Sequence, residues 1–147
     1  MKARKYALPE FLKDVLSQDK YERWLRRKAA AHLKRDRKYG NLHISGESYR
    51  IAIHEAVVTS KGKDAYTGDD LDWKLLSTYS NVESKKGRRK YKASLSSLPT
   101  VDHVDERTSL PNFKICSWRV NDAKGDLNLS EFLELCRKLI EHNDAKS

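Results

Sequence analysis

Residues 100–124 read TVDHVDERTSLPNFKICSWRVNDAK, and their pattern changes character several times. From Leu98, LPTVDHV is short and rich in β-formers. NFKICSW sets Phe113, Ile115 and Ser117 on one side against Lys114, Cys116 and Trp118 on the other. Both stretches suit strands, and DERTSLP suits the loop between them. After Trp118, RVNDAK favours a helix start, and Gly125-Asp126 interrupts it. Residues 98–124 therefore predict strand, loop, strand, helix, within an α+β fold.

Working outward, residues 8–16 predict a short helix, with Pro9 in its first turn and Phe11, Leu12, Val15 and Leu16 at helical spacing. Residues 19–38 predict a longer helix. Tyr21, Trp24, Leu25, Ala29 and Leu33 share one face, Lys and Arg fill much of the rest, and Gly40-Asn41 ends it. A third helix is expected over 46–59 on Tyr49, Ala52, Ile53, Ala56 and Val57, broken by Lys61-Gly62-Lys63. DAYTGDDLDW reads as a turn beside extended chain, and SKKGRRKYK as a basic loop or hairpin tip. A last helix presents Phe132, Leu135, Cys136 and Leu139 as its apolar face. Asn128 or Ser130 can cap its start, and Asn128 with Glu131 has the spacing of a capping box. The 147 residues fit one domain, with a helical part over 1–60 and the remainder, motif included, over 61–147.

Composition narrows the function classes. An apolar fraction of 38% and a charged fraction of 35% describe a soluble chain with a modest core. No apolar run approaches the roughly 20 residues of a membrane helix. Pro9, Glu10, Lys13 and Asp14 interrupt the apolar stretch a signal peptide needs, so a cytoplasmic protein without a membrane partner is expected. Cys116 and Cys136 sit among apolar neighbours and read as buried free thiols. The net charge of +9 is uneven: Lys20–Lys38 holds nine Lys/Arg against two acids, and Val82–Lys92 six against one. Concentrated positive charge points to a polyanion, most often nucleic acid. The candidate contacts are Arg23, Arg26, Arg27 and Lys34 on the long helix, and Lys85, Lys86, Arg88, Arg89 and Lys90 in the basic loop. A charged face that merely stays solvated is the competing reading.

The motif carries the chemistry. Hydrolysis of a phosphodiester needs a base for water, charge stabilisation for the phosphate, and help for the departing 3′ oxygen. His103 supplies an imidazole, and Asp102 and Asn121 supply oxygens that suit a hard cation. Lys124, three residues beyond Asn121 on the same helical face, reaches a phosphate. Asn112, between loop and second strand, suits a loop-fixing amide. Adjacent strand residues point to opposite faces, so Asp102 and His103 act together only if a bulge or the strand end turns them.

These residues resemble the HNH, or ββα-metal, nuclease family. Its motif is a strand with an Asp-His pair, a loop with a structural Asn, a second strand, and a helix carrying a metal-binding Asn or His. Asp102-His103, Asn112 and Asn121 match it, with Lys124 where the family often has a Lys. The resemblance implies a ββα-metal core at about 98–125, with additional N-terminal helices and a C-terminal helix. It implies His103 as general base, Asp102 and Asn121 holding one Mg²⁺ or Mn²⁺, and Asn112 constraining the loop. Many members carry two CxxC pairs for a structural zinc. Here Asp64, Thr67, Ser117 and Val120 stand at those positions. The resemblance therefore implies a version without structural zinc, with packing around Tyr66, Trp73 and Trp118 in its place.

Three function classes follow. The first is a metal-dependent endonuclease acting on DNA, duplex DNA in the first instance, with a homodimer offering one site per strand. The second is a catalytically silent nucleic-acid-binding module on the same fold. The third is an interaction or inhibitor protein whose basic face meets an acidic partner.

Overall fold

The computed structural model describes residues 5–41, 44–77, 94–105 and 110–146. Helix α1 spans Gln18–Lys38, and the Ser17 hydroxyl accepts from the Lys20 amide at its start. Its inward stripe runs Tyr21, Trp24, Leu25 and Ala29, then turns polar at His32 and Asp36. Helix α2 spans Gly46–Ser60, with Ser45 and Ser48 capping each other's backbone. It buries Tyr49, Ile53 and Val57, one residue per turn. Lys61 ends it in the left-handed region, and Gly62 follows at φ 88°, where a Cβ would lie 3.2 Å from the Phe11 ring. The Lys61-Gly62-Lys63 break thus has a conformational and a steric cause.

Strands β1 (Pro99–His103) and β2 (Phe113–Ser117) form an antiparallel pair. The register places Val101 opposite Ile115 and His103 opposite Phe113 on one face. Thr100 opposite Cys116 and Asp102 opposite Lys114 occupy the other. Helices α1 and α2 cover the first face, where Val101, Phe113 and Ile115 join Tyr21, Trp24, Leu25, Ile53 and Val57 in one core. Helix α3 (Trp118–Lys124) covers the second, beginning directly from the last residue of β2. The two strands and the helix follow in the expected order, residues 106–109 of the expected connecting loop lie outside the described residues, and the architecture is α+β. Among the described residues no helix is long and apolar enough to cross a membrane.

Two expectations are corrected. Residues 8–16 form only a single 3-10 turn, Glu10–Leu12, followed by non-helical turns. The Gln18 side chain bridges the Leu8 amide and the Tyr6 carbonyl, folding this segment back onto the start of α1. Leu12 and Leu16 are buried without a full helix. Helix α4 (Leu129–Asp144) starts at the anticipated Asn128–Glu131 capping box but buries no residue. Leu135 and Leu139 are 45% and 56% exposed, and Cys136 is half-buried where a buried thiol was expected. A two-stranded sheet has two faces, both already covered, and the Gly125 turn carries α4 away from them.

The junction between the 64–68 turn and α3 is held by one carboxylate. Asp64, 2% exposed, accepts from the Tyr66 and Thr67 amides at 2.7 and 3.2 Å and from the Ser117 amide at 2.9 Å. Ser117 in turn caps α3 by accepting from the Val120 amide at 3.1 Å. Positions 64, 67, 117 and 120 are therefore joined by hydrogen bonds. Of the expected aromatic packing, Trp73 is in the core, while Tyr66 and Trp118 are only half-buried. Replacing Asp64 by Ala strands three amides, so Asp64→Ala should cost roughly 3 kcal/mol, and Asp64→Asn less. Urea denaturation measures both, and an unchanged midpoint for Asp64→Ala would exclude this role.

Candidate functional site

The face of the sheet under α3 is polar. Asn121 and Lys124, one turn apart on α3, both reach down to β1. The Asn121 Nδ2 donates to Thr100 Oγ1 at 3.2 Å, and Thr100 donates to the Cys116 carbonyl at 2.9 Å. Lys124 Nζ lies 3.2 Å from Asp102 Oδ2, with the two residues 4% and 7% exposed. The Tyr66 hydroxyl donates to the same carboxylate oxygen at 2.5 Å. Burial, then the hydrogen bond and charge of Asp102, hold the Tyr66 phenol well above the ordinary tyrosine range, so it stays a donor. Lys114 Nζ sits 5.6 Å from the centre of the Tyr66 ring. Both contacts to Asp102 use Oδ2, which leaves Oδ1 outside them.

His103 faces the other way. Its imidazole is 2% exposed, with Nε2 2.9 Å from Oδ2 of the fully buried Asp36 on α1. The Tyr49 hydroxyl donates to that same Asp36 oxygen. The His103 ring meets Phe113 edge-on, 5.0 Å between centres and 76° between planes. The pair does stand at the end of β1, but the strand is regular through His103 and Val104 continues the ladder, its amide donating to the Asn112 carbonyl at 2.9 Å. The turn or bulge that would aim Asp102 and His103 the same way is therefore not there. The Asn112 side chain is exposed and donates through Nδ2 to Asp105 at 3.0 Å, closing the mouth of the connecting loop.

A cleft of about 490 Å³ is lined by Asp102, His103, Asp105, Lys124, Glu131 and Tyr39, among others. Asn121 opens instead onto a hollow of about 210 Å³ beside Lys28, Arg35, Thr100 and Trp118. The structure thus brings Asp102, His103 and Lys124 to one cleft and Asn121 to its neighbour, linked through Thr100. Asn112 lies at neither.

Arg23, Arg26, Arg27 and Lys34 are exposed on α1, and Arg23 is paired with Asp19. Lys85, Lys86, Arg88, Arg89 and Lys90 lie outside the described residues. Lys28 and Arg35 line the same hollow as Asn121 yet were not picked out from the sequence. They lie seven residues apart, which is two helical turns along one stripe of α1, and that spacing was the available signal. Burial and then the charges of Arg27 and Arg35 hold the Lys28 ammonium below the usual lysine range. Asp36 was missed as well. An acid on the stripe of Tyr21, Leu25, Ala29 and His32 was its signal.

No family model, curated protein or solved structure matches this chain. Among the described residues no group of three or more His, Cys, Asp or Glu side chains is arranged to hold a metal ion. Between α3 and β1 the oxygens come from the Asp102 carboxylate, the Thr100 and Tyr66 hydroxyls and the Asn121 amide.

Two outcomes follow from this geometry. Asp102→Ala leaves a buried ammonium without its carboxylate and should cost about 3 kcal/mol, much of it recovered when Lys124→Met is added. Denaturation of the two single variants and the double variant reads this directly, and additive losses would argue against a coupled pair. On the alkaline side, burial pushes the Cys116 thiol from 9.0 up to about 12. Its folded-state value is raised, so its contribution is fully present below about pH 9 and is lost as pH rises through about 12. Cys116→Ala should therefore show a shallower alkaline fall in urea midpoint than the parent chain.

Proposed function

We propose that this chain is a metal-dependent endonuclease of the HNH type, hydrolysing phosphodiester bonds in DNA. The observation that carries the reading is that α3 sends Lys124 to Asp102 and Asn121 to Thr100, two residues along the same face of β1, beneath the helix that follows the hairpin. Asp102 and the Asn121 amide oxygen would hold one Mg²⁺ or Mn²⁺, an all-oxygen donor set that suits a hard cation. Such a cation supplies charge stabilisation for the phosphate and for the departing 3′ oxygen. The protein's own groups do the rest. His103 takes a proton from water as the water oxygen bonds to phosphorus and the P–O3′ bond breaks. The products are a 5′-phosphate and a 3′ oxygen that picks up a proton from solvent. Lys124 exchanges Asp102 for the phosphate, Asn112 holds the loop, and the exposed Arg and Lys of α1 follow the backbone.

A specific observation favours a second reading, a binding module without catalysis. Asp102 is already engaged by Lys124 and Tyr66, and the His103 imidazole is almost fully covered. The nuclease reading requires Nδ1 of His103 to be uncovered when a phosphodiester enters the cleft, a tightening and re-aiming that active sites commonly complete only with substrate bound.

Cleavage of supercoiled plasmid separates the two. Wild type with Mg²⁺ or Mn²⁺ should nick the plasmid, EDTA should abolish nicking, and His103→Ala should lose roughly 10²-fold or more in rate while still binding DNA. Salt-sensitive DNA binding without cleavage in either metal would leave the binding module. Calorimetric titration with Mn²⁺ tests the ligand assignment. Asn121→Ala should weaken metal binding, whereas His103→Ala should lower turnover more than metal affinity.

A further inference from the structure

Asp36 is a carboxylate with no access to solvent, on the last turns of a helix that is otherwise strongly basic. Its Oδ2 receives the Tyr49 hydroxyl and lies 2.9 Å from Nε2 of His103, which is 67 residues away in sequence. The other imidazole nitrogen, Nδ1, is buried and has no hydrogen-bond partner among the described residues. A buried carboxylate–imidazole pair is a poor way to gain stability, because desolvating the two groups offsets their attraction and an apolar pair would serve as well. It is an effective way to orient a ring. An ionised carboxylate can only accept, so it selects the tautomer with its proton on Nε2 and leaves the Nδ1 lone pair open. The edge-on Phe113 contact fixes the plane of the ring, and Asp36 decides which nitrogen is held.

We infer that Asp36 is the positioning residue for His103, gripping the imidazole through Nε2 so that Nδ1 is the nitrogen that receives the proton from water. This rests on the reading of His103 as general base. It makes α1 part of the catalytic apparatus, with one side meeting phosphate and the other steadying the base. Tyr49 holds Asp36 from α2, and the His32 ring lies 6.2 Å from that of His103, so the grip is set by both N-terminal helices.

The test uses the 147-residue chain, Asp36→Asn and Asp36→Ala. Side-chain ¹⁵N resonances of His103 report the tautomer whether or not the protein cuts DNA. Wild type should show the Nε2–H form, and Asp36→Asn, whose amide can either accept or donate, should show a mixture or the Nδ1–H form. The same tautomer in both folded proteins overturns the inference. In the plasmid assay Asp36→Asn should lower kcat roughly tenfold to a hundredfold with KM for DNA unchanged, a smaller loss than that of His103→Ala. A folded Asp36→Asn with wild-type kcat overturns it too. If Asp36→Asn does not fold, Asp36→Ala is read in the same two assays. Wild type that holds the expected tautomer but never cleaves DNA would instead defeat the nuclease reading while leaving the grip of Asp36 on His103 established.

Discussion

Asp102 and His103 are neighbours on a regular antiparallel strand, so their side chains leave the sheet on opposite faces. The polar interior of the protein follows from that alternation. Asp102 enters the layer under α3, where it meets an ammonium and a phenol. His103 enters the layer under α1 and α2, where it meets a carboxylate and an aromatic edge. A one-residue slip of register would exchange the two environments, placing an imidazole beside Lys124 and a carboxylate against Asp36. The apolar residues Val101, Ile115 and Phe113, packed on Ile53, Val57 and Tyr49, fix the register against that slip.

Each buried charge among the described residues is matched by opposing or donating groups, at least one of them from a distant segment. Lys124 answers Asp102 from α3, Tyr49 and His103 answer Asp36, and three amides answer Asp64. Removing one member leaves its partner uncompensated in a low-dielectric interior, which is costlier than losing a surface pair. These contacts also tie the helical N-terminal residues to the strands and α3, so the site depends on elements far from the motif. The short α3 is positioned by the Ser117 cap and the Asp64 carboxylate at its start and by the two side chains it sends to β1.

Helices α1, α2 and α4 were legible because their signals are local: apolar residues at helical spacing, Ser or Asn caps, and breaking Gly residues. The strand–loop–strand–helix order was legible for the same reason. The single 3-10 turn at Glu10–Leu12 was not, because Gln18 folds that segment back through contacts that periodicity does not encode. Nor was the exposure of α4. An amphipathic pattern shows which face prefers burial but not whether any face of the sheet remains to receive it.

The sequence by itself determined helices α1, α2, α3 and α4, the two strands, the uneven positive charge, and the candidate set Asp102, His103, Asn112, Asn121 and Lys124. Chemistry and spacing along a chain are enough for that. Only the tertiary structure decided that Asp36 holds His103, that Tyr66 and Lys124 hold Asp102, and that Asp64 joins a distant turn to the start of α3. Those partners lie between 22 and 67 residues apart, and nothing local relates them. Their meeting is fixed by the two faces of one short hairpin and by the need of every buried charge for a partner.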